Sequence, residues 1–171
     1  MRTEAGLPRI QDFFMTTASS TQASKTVLVL NGPNLNLLGS REPTVYGSST
    51  LADVEQLCQQ ACARHGWTLD FRQSNHEGDL VDAIHEAGRL HAQGLLAGVV
   101  LNAGAYTHTS VALLDAIKGT AVPLVELHIS NVFAREAFRH HSYISPAARA
   151  VMCGWGVQGY AMAIDGLQHW Q

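Results

Sequence analysis

Five short apolar segments alternate along this chain with segments whose apolar residues recur at helical spacing. The first, TVLVLN at 26–31, is continuous and rich in β-branched residues, as is typical of a strand buried on both faces. The others are WTLDFRQSN (67–75), LLAGVVLNAGA (95–105), VPLVELHIS (122–130) and AVMCGWG (150–156). Strands that alternate with helices form parallel sheets covered on both faces, so the pattern predicts an α/β fold around a five-stranded parallel sheet.

Helices are predicted between these strands and after the last one, over 48–65, 77–91, 109–117, 135–140 and 157–170. In the first of them, Ser49 or Thr50 can cap the N-terminus, and Gly66 ends the pattern. Its apolar face includes Cys58 and Cys62. We predict these to be buried thiols, because the three cysteines of the chain form no CxxC pair.

The length and composition are those of one folded domain with a polar N-terminal segment. A chain of 171 residues can bury a core as a single unit, and we assign 26–171 to one α/β domain. Residues 1–25 contain the run MTTASSTQASK, which is rich in Ser and Thr and has no periodicity. The sequence therefore predicts a disordered extension over 1–25.

The charge and hydropathy of the chain indicate which kinds of partner it binds and in which compartment it acts. Charged residues are 15% of the chain, against about 25% in typical soluble proteins, which indicates extra surface buried between subunits. The net charge of −3 and the lack of a basic run give no reason to expect nucleic acid or an anionic membrane surface. No apolar stretch approaches the roughly 18 residues of a membrane span, and free thiols suit a reducing compartment. We therefore predict a cytoplasmic homo-oligomer.

Reactive side chains collect where the predicted strands end. In parallel sheets, ligands bind beyond the carboxyl ends of the strands, at the point where the strand order reverses. Chains also turn at strand ends, but turning alone does not favour His, Arg or Tyr. The residues at these ends are Asn34, Arg41, Asn102, His108, His128, Ser130, Arg135 and Arg139.

The charge of this region favours an anionic ligand. Arginines at 41, 135 and 139 can bind a carboxylate in bidentate fashion, and only Glu126 and Asp115 oppose them. The segment HIS at 128–130 leads into a turn whose backbone N–H groups, with the Ser130 hydroxyl, can hold a carboxylate. The alternative for Arg135 and Arg139 is an ordinary ion-pair network.

A tyrosine in the long loop after the first strand is a candidate base. Tyr46 has a reference pKa of about 10, but a cation within about 4–6 Å depresses the pKa of an acid by 1–3 units. Arg41 lies five residues upstream in the same loop. Tyr46 with Arg41 is then a credible base and His128 a natural acid. The alternative is that Tyr46 only packs the loop against the protein, which the residues alone favour.

Several motifs are absent from the sequence. There is no GxxxxGK[ST], which argues against a nucleoside triphosphate site. There is no GxSxG and no HExxH, and the histidines lack metal-ligand spacing. The only lysines are Lys25, in the N-terminal extension, and Lys118, near a helix end, so Schiff-base catalysis is not expected.

Four blocks in the same order resemble the type II 3-dehydroquinate dehydratase family: LNGPNLNLLGSREPTVYG, RQSNHEGDLVDAI, LNAGAYTHTSVALLDAI and VELHISNVFAREAFRHHSY. The resemblance extends from about Lys25 onward. It implies a flavodoxin-like three-layer sandwich and makes 26–171 a catalytic domain. It also implies anti elimination of water from 3-dehydroquinate to give 3-dehydroshikimate through an enolate, without metal or organic cofactor. Such a reaction serves the shikimate pathway of aromatic amino-acid biosynthesis, or quinate breakdown.

The resemblance assigns a catalytic role to five residues. Tyr46 is the base that removes a proton from the carbon next to the ketone, and Arg41 keeps this tyrosine acidic. Asn34 holds a water that hydrogen-bonds the enolate oxygen. His128 protonates the departing hydroxyl, and Glu126 orients its imidazole.

The resemblance also implies a set of binding residues. Asn102, Ile129 and Ser130 would hold the substrate carboxylate, the latter two through backbone N–H groups. His108 and Arg139 would contact the ring hydroxyls.

Two further residues of this set act at the edges of the site. Arg135 would cover the loop, and Asp115 would reach into the site of a neighbouring subunit, since the family assembles as trimers stacked into a dodecamer. Leu114 stands where many members have an arginine, a departure that bears on the oligomer size. The long Gly- and Pro-bearing segment 31–47 would be a lid that brings Arg41 and Tyr46 to the substrate.

Two alternatives remain open at the level of the sequence. One is a non-catalytic flavodoxin-like module that binds a small anion; it would keep the arginines and asparagines but has no use for Tyr46 and His128 together. The other is an enzyme of related chemistry on another hydroxylated cyclic ketone.

Overall fold

A parallel sheet of five strands forms the centre of the computed structural model, which describes residues 23–40 and 48–171. The strands are β1 (Thr26–Asn31), β2 (Thr68–Gln73), β3 (Leu96–Asn102), β4 (Leu124–His128) and β5 (Ala150–Cys153). They lie in the order β2-β1-β3-β4-β5, and all neighbouring pairs are parallel. The predicted strands are confirmed, although most are shorter than the apolar segments.

Four α-helices in the described residues cover the two faces of the sheet: α1 (Leu51–Arg64), α2 (Glu77–Ala92), α3 (Val111–Thr120) and α4 (Gln158–Leu167). The apolar faces of α1 and α4 share one buried core, and those of α2 and α3 share a second on the other side. The result is a three-layer α/β sandwich whose strand order is flavodoxin-like, as predicted.

The start of α1 follows from its sequence. The Thr50 hydroxyl accepts a hydrogen bond from the N–H of Asp53, and the Asp53 carboxylate accepts one from the N–H of Thr50 at 2.8 Å. This capping box satisfies two N–H groups that an α-helix leaves without intrahelical partners. Cys58 and Cys62 are buried free thiols, as predicted, and burial raises the pKa of Cys58 to about 12.

The predicted helix over 135–140 is wrong in its type and bounds. This part of the chain forms two short 3₁₀ helices, Val132–Ala134 and Ala137–His140. They are separate because Arg135 and Glu136 adopt extended backbone angles, with ψ of −165° and 143°.

The helix predicted at 109–117 begins later, at Val111, where the Ser110 hydroxyl caps it by accepting a hydrogen bond from the N–H of Leu113.

The loops that follow β1 and β3 contact each other directly. The N–H of Gly32 donates to the carbonyl of Asn102 at 2.7 Å. A Cβ atom on Gly32 would lie 2.3 Å from the carbonyl oxygen of Ala103, so only glycine allows this approach. The connection after β1 leads to β2 on one side, and the connection after β3 leads to β4 on the other side. The strand order therefore reverses between β1 and β3, and the carboxyl ends of these two strands are the expected place for a ligand.

The end of the predicted N-terminal extension contacts the domain. Ser24 donates to the carbonyl of Gly66 at 2.7 Å, and Lys25 Nζ donates to Gln171 Oε1 at 2.7 Å. The rest of the extension, 1–22, lies outside the described residues. Across 23–40 and 48–171, no helix combines the length and the apolar character needed to cross a membrane.

Candidate active site

A cleft opens at the carboxyl edge of the sheet, between the loops that follow β1, β3 and β4. It lies where the strand-end residues predict a ligand site. Eight of the predicted site residues line it: Asn34, Asn102, His108, His128, Ile129, Ser130, Arg135 and Arg139.

Asn34 enters the cleft from the loop after β1 with an unusual backbone. Its φ of 68° is in the left-handed region, which non-glycine residues rarely adopt. Its N–H donates to Asn75 Oδ1 at 2.9 Å, and Asn75 also accepts from Gln73 Nε2 at 3.0 Å. The end of β2 therefore holds the Asn34 backbone in this conformation.

Asn102 lies at the end of β3, and its side chain is tied into a buried polar network. Its Nδ2 donates to the hydroxyl of Tyr160 on α4 at 2.9 Å, and its Oδ1 accepts the N–H of Gly104 at 3.3 Å. The Tyr160 hydroxyl donates to Asn31 Oδ1 at 2.6 Å. Neither Asn31 nor Tyr160 was predicted to belong to the site.

His128, the last residue of β4, is the central titratable group of the cleft. Its side chain is almost completely buried, and its Nε2 lies 2.9 Å from Oε1 of Glu126. Glu126 is fully buried behind it. Because a carboxylate accepts the Nε2 proton, the other ring nitrogen of His128, Nδ1, is the one that can exchange a proton with a ligand. Nδ1 has no hydrogen bond within the described part of the chain.

Two serines complete the surroundings of Glu126. Ser142 donates to its Oε1 at 2.7 Å, and the Ser145 hydroxyl donates to its Oε2. Burial opposes ionisation of Glu126, but hydrogen bonds from His128, Ser145 and Ser142 outweigh it and hold the pKa of this carboxyl below its usual value. The carboxylate is thus ionised and can stabilise a protonated imidazole.

His108 faces His128 across the cleft. The two rings are nearly parallel, at 12°, with centroids 6.5 Å apart. His108 Nδ1 lies 2.7 Å from the carbonyl oxygen of His141, a group that only accepts, so Nδ1 carries a proton. The nitrogen that remains for a ligand is Nε2.

The two arginines that line the cleft share an acidic neighbour, Glu136. Arg139 Nε donates to Glu136 Oε2 at 2.8 Å, and Arg135 Nε lies 3.6 Å from the same oxygen. The ion-pair alternative therefore describes part of their environment, although both also line the cleft. Glu136 is exposed, so this pairing is screened by solvent.

Three of the predicted site residues, Arg41, Tyr46 and Asp115, are not among the described residues that line the cleft. Asp115 is exposed on α3 and is not among the residues that line this cleft. Arg41 and Tyr46 lie outside the described residues. Over 23–40 and 48–171 there is also no group of three or more His, Cys, Asp or Glu side chains that could hold a metal ion.

Other residues of the site were missed. Asn31 ends β1, so the strand-end rule that selected Asn102 applies equally to it. Tyr160, Ser142 and Ser145 carry no such signal, since they reach the site only through tertiary packing. Six further cleft residues, mostly small or apolar, were also missed: Pro33, Leu35, Leu38, Gly104, Ala105 and Val132.

Known proteins resemble this chain over nearly all of the domain. The family model described as Dehydroquinase class II matches residues 25–168. A protein of Acidovorax sp. strain JS42 named 3-dehydroquinate dehydratase is 82% identical over 147 residues, covering 86% of this chain and 99% of its own. A protein of the same name from Variovorax paradoxus is 69% identical over 143 residues, covering 84% of this chain and 98% of its own.

Solved structures agree with these sequence matches. The type II dehydroquinase of Butyrivibrio crossotus superposes with a TM-score of 0.80 at 40% identity, over 85% of this chain and 98% of that one. With the family model matching 25–168 and the fold shared, the chain belongs to the class II dehydroquinase family.

Proposed function

We propose that this protein is a type II 3-dehydroquinate dehydratase, a hydro-lyase that converts 3-dehydroquinate to 3-dehydroshikimate. The observation that carries the proposal is the buried His128–Glu126 pair, in which Nε2 of His128 lies 2.9 Å from Oε1 of Glu126. His128 lines a cleft that arginines also line, in a chain that belongs to this family. An anion-binding module would have no use for an imidazole held against an ionised, buried carboxylate. The pair is suited to proton transfer.

The first step of the proposed reaction is removal of a proton from the carbon next to the ketone. Tyr46 is the base, and the guanidinium of Arg41 favours its phenolate form. The electron pair of the broken C–H bond forms the enolate, whose oxygen is stabilised by a water held by Asn34. Anchoring of the Asn34 backbone by Asn75 supports a fixed position for this group.

The second step is loss of the hydroxyl group. The enolate electrons form the new carbon–carbon double bond as the carbon–oxygen bond breaks, and His128 gives its Nδ1 proton to the leaving oxygen to make water. Glu126 holds Nε2 and stabilises the imidazolium before the transfer. Elimination is anti, which requires the base and the acid on opposite faces of the ring.

Binding follows from the groups that line the cleft. Asn102, with the backbone N–H groups of Ile129 and Ser130, holds the substrate carboxylate. His108, through Nε2, and Arg139 contact the ring hydroxyls. Arg135 covers the loop at the mouth of the cleft. The long segment 31–47 is the lid that brings Arg41 and Tyr46 to the substrate, and no metal or organic cofactor takes part.

The assembly belongs to the same proposal. Asp115 completes the site of a neighbouring subunit within a trimer, and trimers stack into a dodecamer. Exposure of Asp115 on α3, away from the cleft of its own chain, supports this role. The catalytic domain is 26–171, and it follows the N-terminal extension 1–25, whose last residues contact it. The enzyme acts in the cytoplasm, in the shikimate pathway of aromatic amino-acid biosynthesis or in quinate breakdown.

The test is ultraviolet absorbance after purified protein is mixed with 3-dehydroquinate. Dehydration creates a conjugated enone that absorbs where the substrate does not, so absorbance should rise at a rate proportional to enzyme. Tyr46→Phe and His128→Ala should each nearly abolish the rise while fold and assembly are retained. Activity should survive exhaustive chelation.

A flat trace from folded, assembled wild-type protein would refute the dehydratase and favour the anion-binding module. Wild-type turnover in Tyr46→Phe or His128→Ala would remove that residue from its role. Release of a different unsaturated ketone from another cyclic substrate would favour the related enzyme.

A further inference from the structure

A tyrosine outside the cleft is hydrogen-bonded to one of the residues that line it. Tyr160 on α4 is fully buried, and its hydroxyl bridges Asn31 Oδ1 at 2.6 Å and Asn102 Nδ2 at 2.9 Å. Asn31 ends β1 and Asn102 ends β3. The hydroxyl therefore joins the two strands at the point where the strand order reverses, and none of the roles above uses Tyr160 or Asn31.

The direction of each hydrogen bond in this network is fixed by its two ends. Asn31 Nδ2 donates to the backbone carbonyl of Arg72 at 3.2 Å, a group that can only accept. Asn102 Oδ1 accepts from the backbone N–H of Gly104, a group that can only donate. Between these ends, Asn31 Oδ1 takes the Tyr160 proton, and the Tyr160 oxygen accepts from Asn102 Nδ2. Rotation of either side-chain amide by 180° would place a donor against a donor and an acceptor against an acceptor.

Burial makes such a reversal costly. Asn31 and Tyr160 are fully buried and Asn102 is 4% exposed, so a donor or acceptor that lost its partner could not form a hydrogen bond with water instead. Burial also raises the pKa of Tyr160, which keeps its hydroxyl a donor at neutral pH. Asn102 Nδ2 has a second hydrogen that no group in 23–40 or 48–171 accepts. That hydrogen is what the amide can offer to a ligand in the cleft.

We propose that Tyr160, together with Asn31, is a positioning residue that holds the Asn102 amide with Nδ2 toward the substrate carboxylate. In the opposite orientation, the amide oxygen would face the carboxylate and repel it. The inference rests on the proposed function, which places the carboxylate against Asn102. It adds a requirement for the Tyr160 hydroxyl that the shape of the core alone would not impose.

The first test is Tyr160→Phe, which keeps the ring and removes the hydroxyl. KM for 3-dehydroquinate should rise by about tenfold or more, because a hydrogen bond to a charged group is lost or reversed. The value of kcat should stay within about threefold, as expected when an interaction is equally strong in ground and transition states. Steady-state kinetics with the enone signal measure both.

A double-mutant cycle separates positioning from general loss of stability. In an Asn102→Ala background, Tyr160→Phe should cause no further rise in KM, since the group it positions is already gone. Ile164→Val is the matched control: it removes one methylene from a fully buried residue of the same helix without touching the network. It should leave KM unchanged.

Each outcome decides the inference. An unchanged KM in Tyr160→Phe, or equal effects of Tyr160→Phe with and without Asn102, would overturn it while the wild-type enzyme still makes enone. Failure of the proposed function would show differently, as no turnover by the wild type. If Tyr160→Phe does not assemble, Asn31→Ala replaces it: the hydroxyl loses its acceptor, and the same rise in KM without a matching fall in kcat is expected. Unchanged KM in that variant would equally refute the inference.

Discussion

At the scale of single residues, the charge on Glu126 depends on the hydroxyl groups around it. Its pKa is held below the usual value although burial opposes ionisation, because His128, Ser145 and Ser142 all donate to the carboxylate. A lowered pKa in the folded state means that ionised Glu126 stabilises the fold above its unfolded-state pKa. That contribution is lost as the pH falls through the folded-state value.

Removal of one donor should therefore shift the acid limit of activity. Ser145→Ala takes away the hydrogen bond to Oε2, and the pKa of Glu126 should rise. The acid limb of the kcat/KM profile should move up by roughly one pH unit, since a hydrogen bond to a charged group is worth about that shift. Activity at neutral pH should change little. A pH series with the enone assay measures the shift.

Ser145→Thr keeps the hydroxyl and should retain the wild-type profile. Acid unfolding followed by circular dichroism should show the same ordering, with the Ser145→Ala midpoint at higher pH than wild type. An acid limb that does not move in Ser145→Ala would mean that Glu126 does not limit activity on the acid side.

At the scale of elements, the cleft depends on the close approach of the loops after β1 and β3. Gly32 lies against the backbone of Ala103, with no room for a Cβ atom. Gly104 has a φ of 57° and lies against Pro33 from the other loop. The contact sets the spacing between Asn34 and Asn102, which come from different strands but line one cleft.

Gly32→Ala should disrupt both stability and activity. Its Cβ would meet the carbonyl oxygen and carbon of Ala103 at 2.3 and 2.6 Å, and backbone cannot move aside as a flexible side chain can. We expect unfolding free energy to fall by roughly 1–3 kcal/mol, as for overpacking of a core, with a larger proportional loss in kcat/KM. Thermal unfolding and the enone assay measure the two effects.

Gly78→Ala is the matched control, because the added Cβ in α2 would meet nothing within 4 Å beyond its own stretch of helix and alanine favours helix. It should leave kcat/KM unchanged. Full activity in Gly32→Ala would contradict the role given to the loop contact.

The sequence predicted those elements whose pattern is local. β1 is a mostly apolar run that is buried over its last five residues, and the two capping residues of α1, Thr50 and Asp53, lie only three positions apart in the chain. Strand-end residues could be selected because parallel strands bring their carboxyl ends together. The segment 132–140 could not be assigned correctly, since none of its apolar residues is buried and they have no clear period. In the sequence, Tyr160 cannot be distinguished from any other aromatic residue of the core, because only the fold brings its hydroxyl within hydrogen-bond distance of Asn102.

At the scale of the whole molecule, exposed apolar side chains bear on the proposed assembly. Several large apolar side chains in the described residues are exposed: Leu37, Val111, Phe133, Phe138, Val151, Trp155 and Met162. Val111 is 51% exposed and precedes Asp115 by one helical turn, so both lie on one face of α3. An apolar residue beside an acidic one fits a face that packs on a neighbour while its carboxylate reaches into the neighbour's cleft.

This arrangement predicts complementation between two impaired variants. Asp115→Ala retains His128 in its own cleft, and His128→Ala retains Asp115 for its neighbour. When both chains are co-expressed and assemble at random, about a quarter of the sites should combine His128 of one chain with Asp115 of the next. Activity per subunit should then recover to about a quarter of wild type, well above either variant alone.

Co-expression of His128→Ala with Glu126→Gln is the negative control, because these two residues contact each other within one chain at 2.9 Å and no mixed site can restore the pair. Native mass, measured by light scattering, should be that of a dodecamer for every preparation. If the Asp115→Ala mixture assembles but stays inactive, Asp115 acts within its own chain or only in packing, and the subunits work independently. Recovery would mean instead that each site is completed by its neighbour, so that dissociation on dilution should lower activity along with mass.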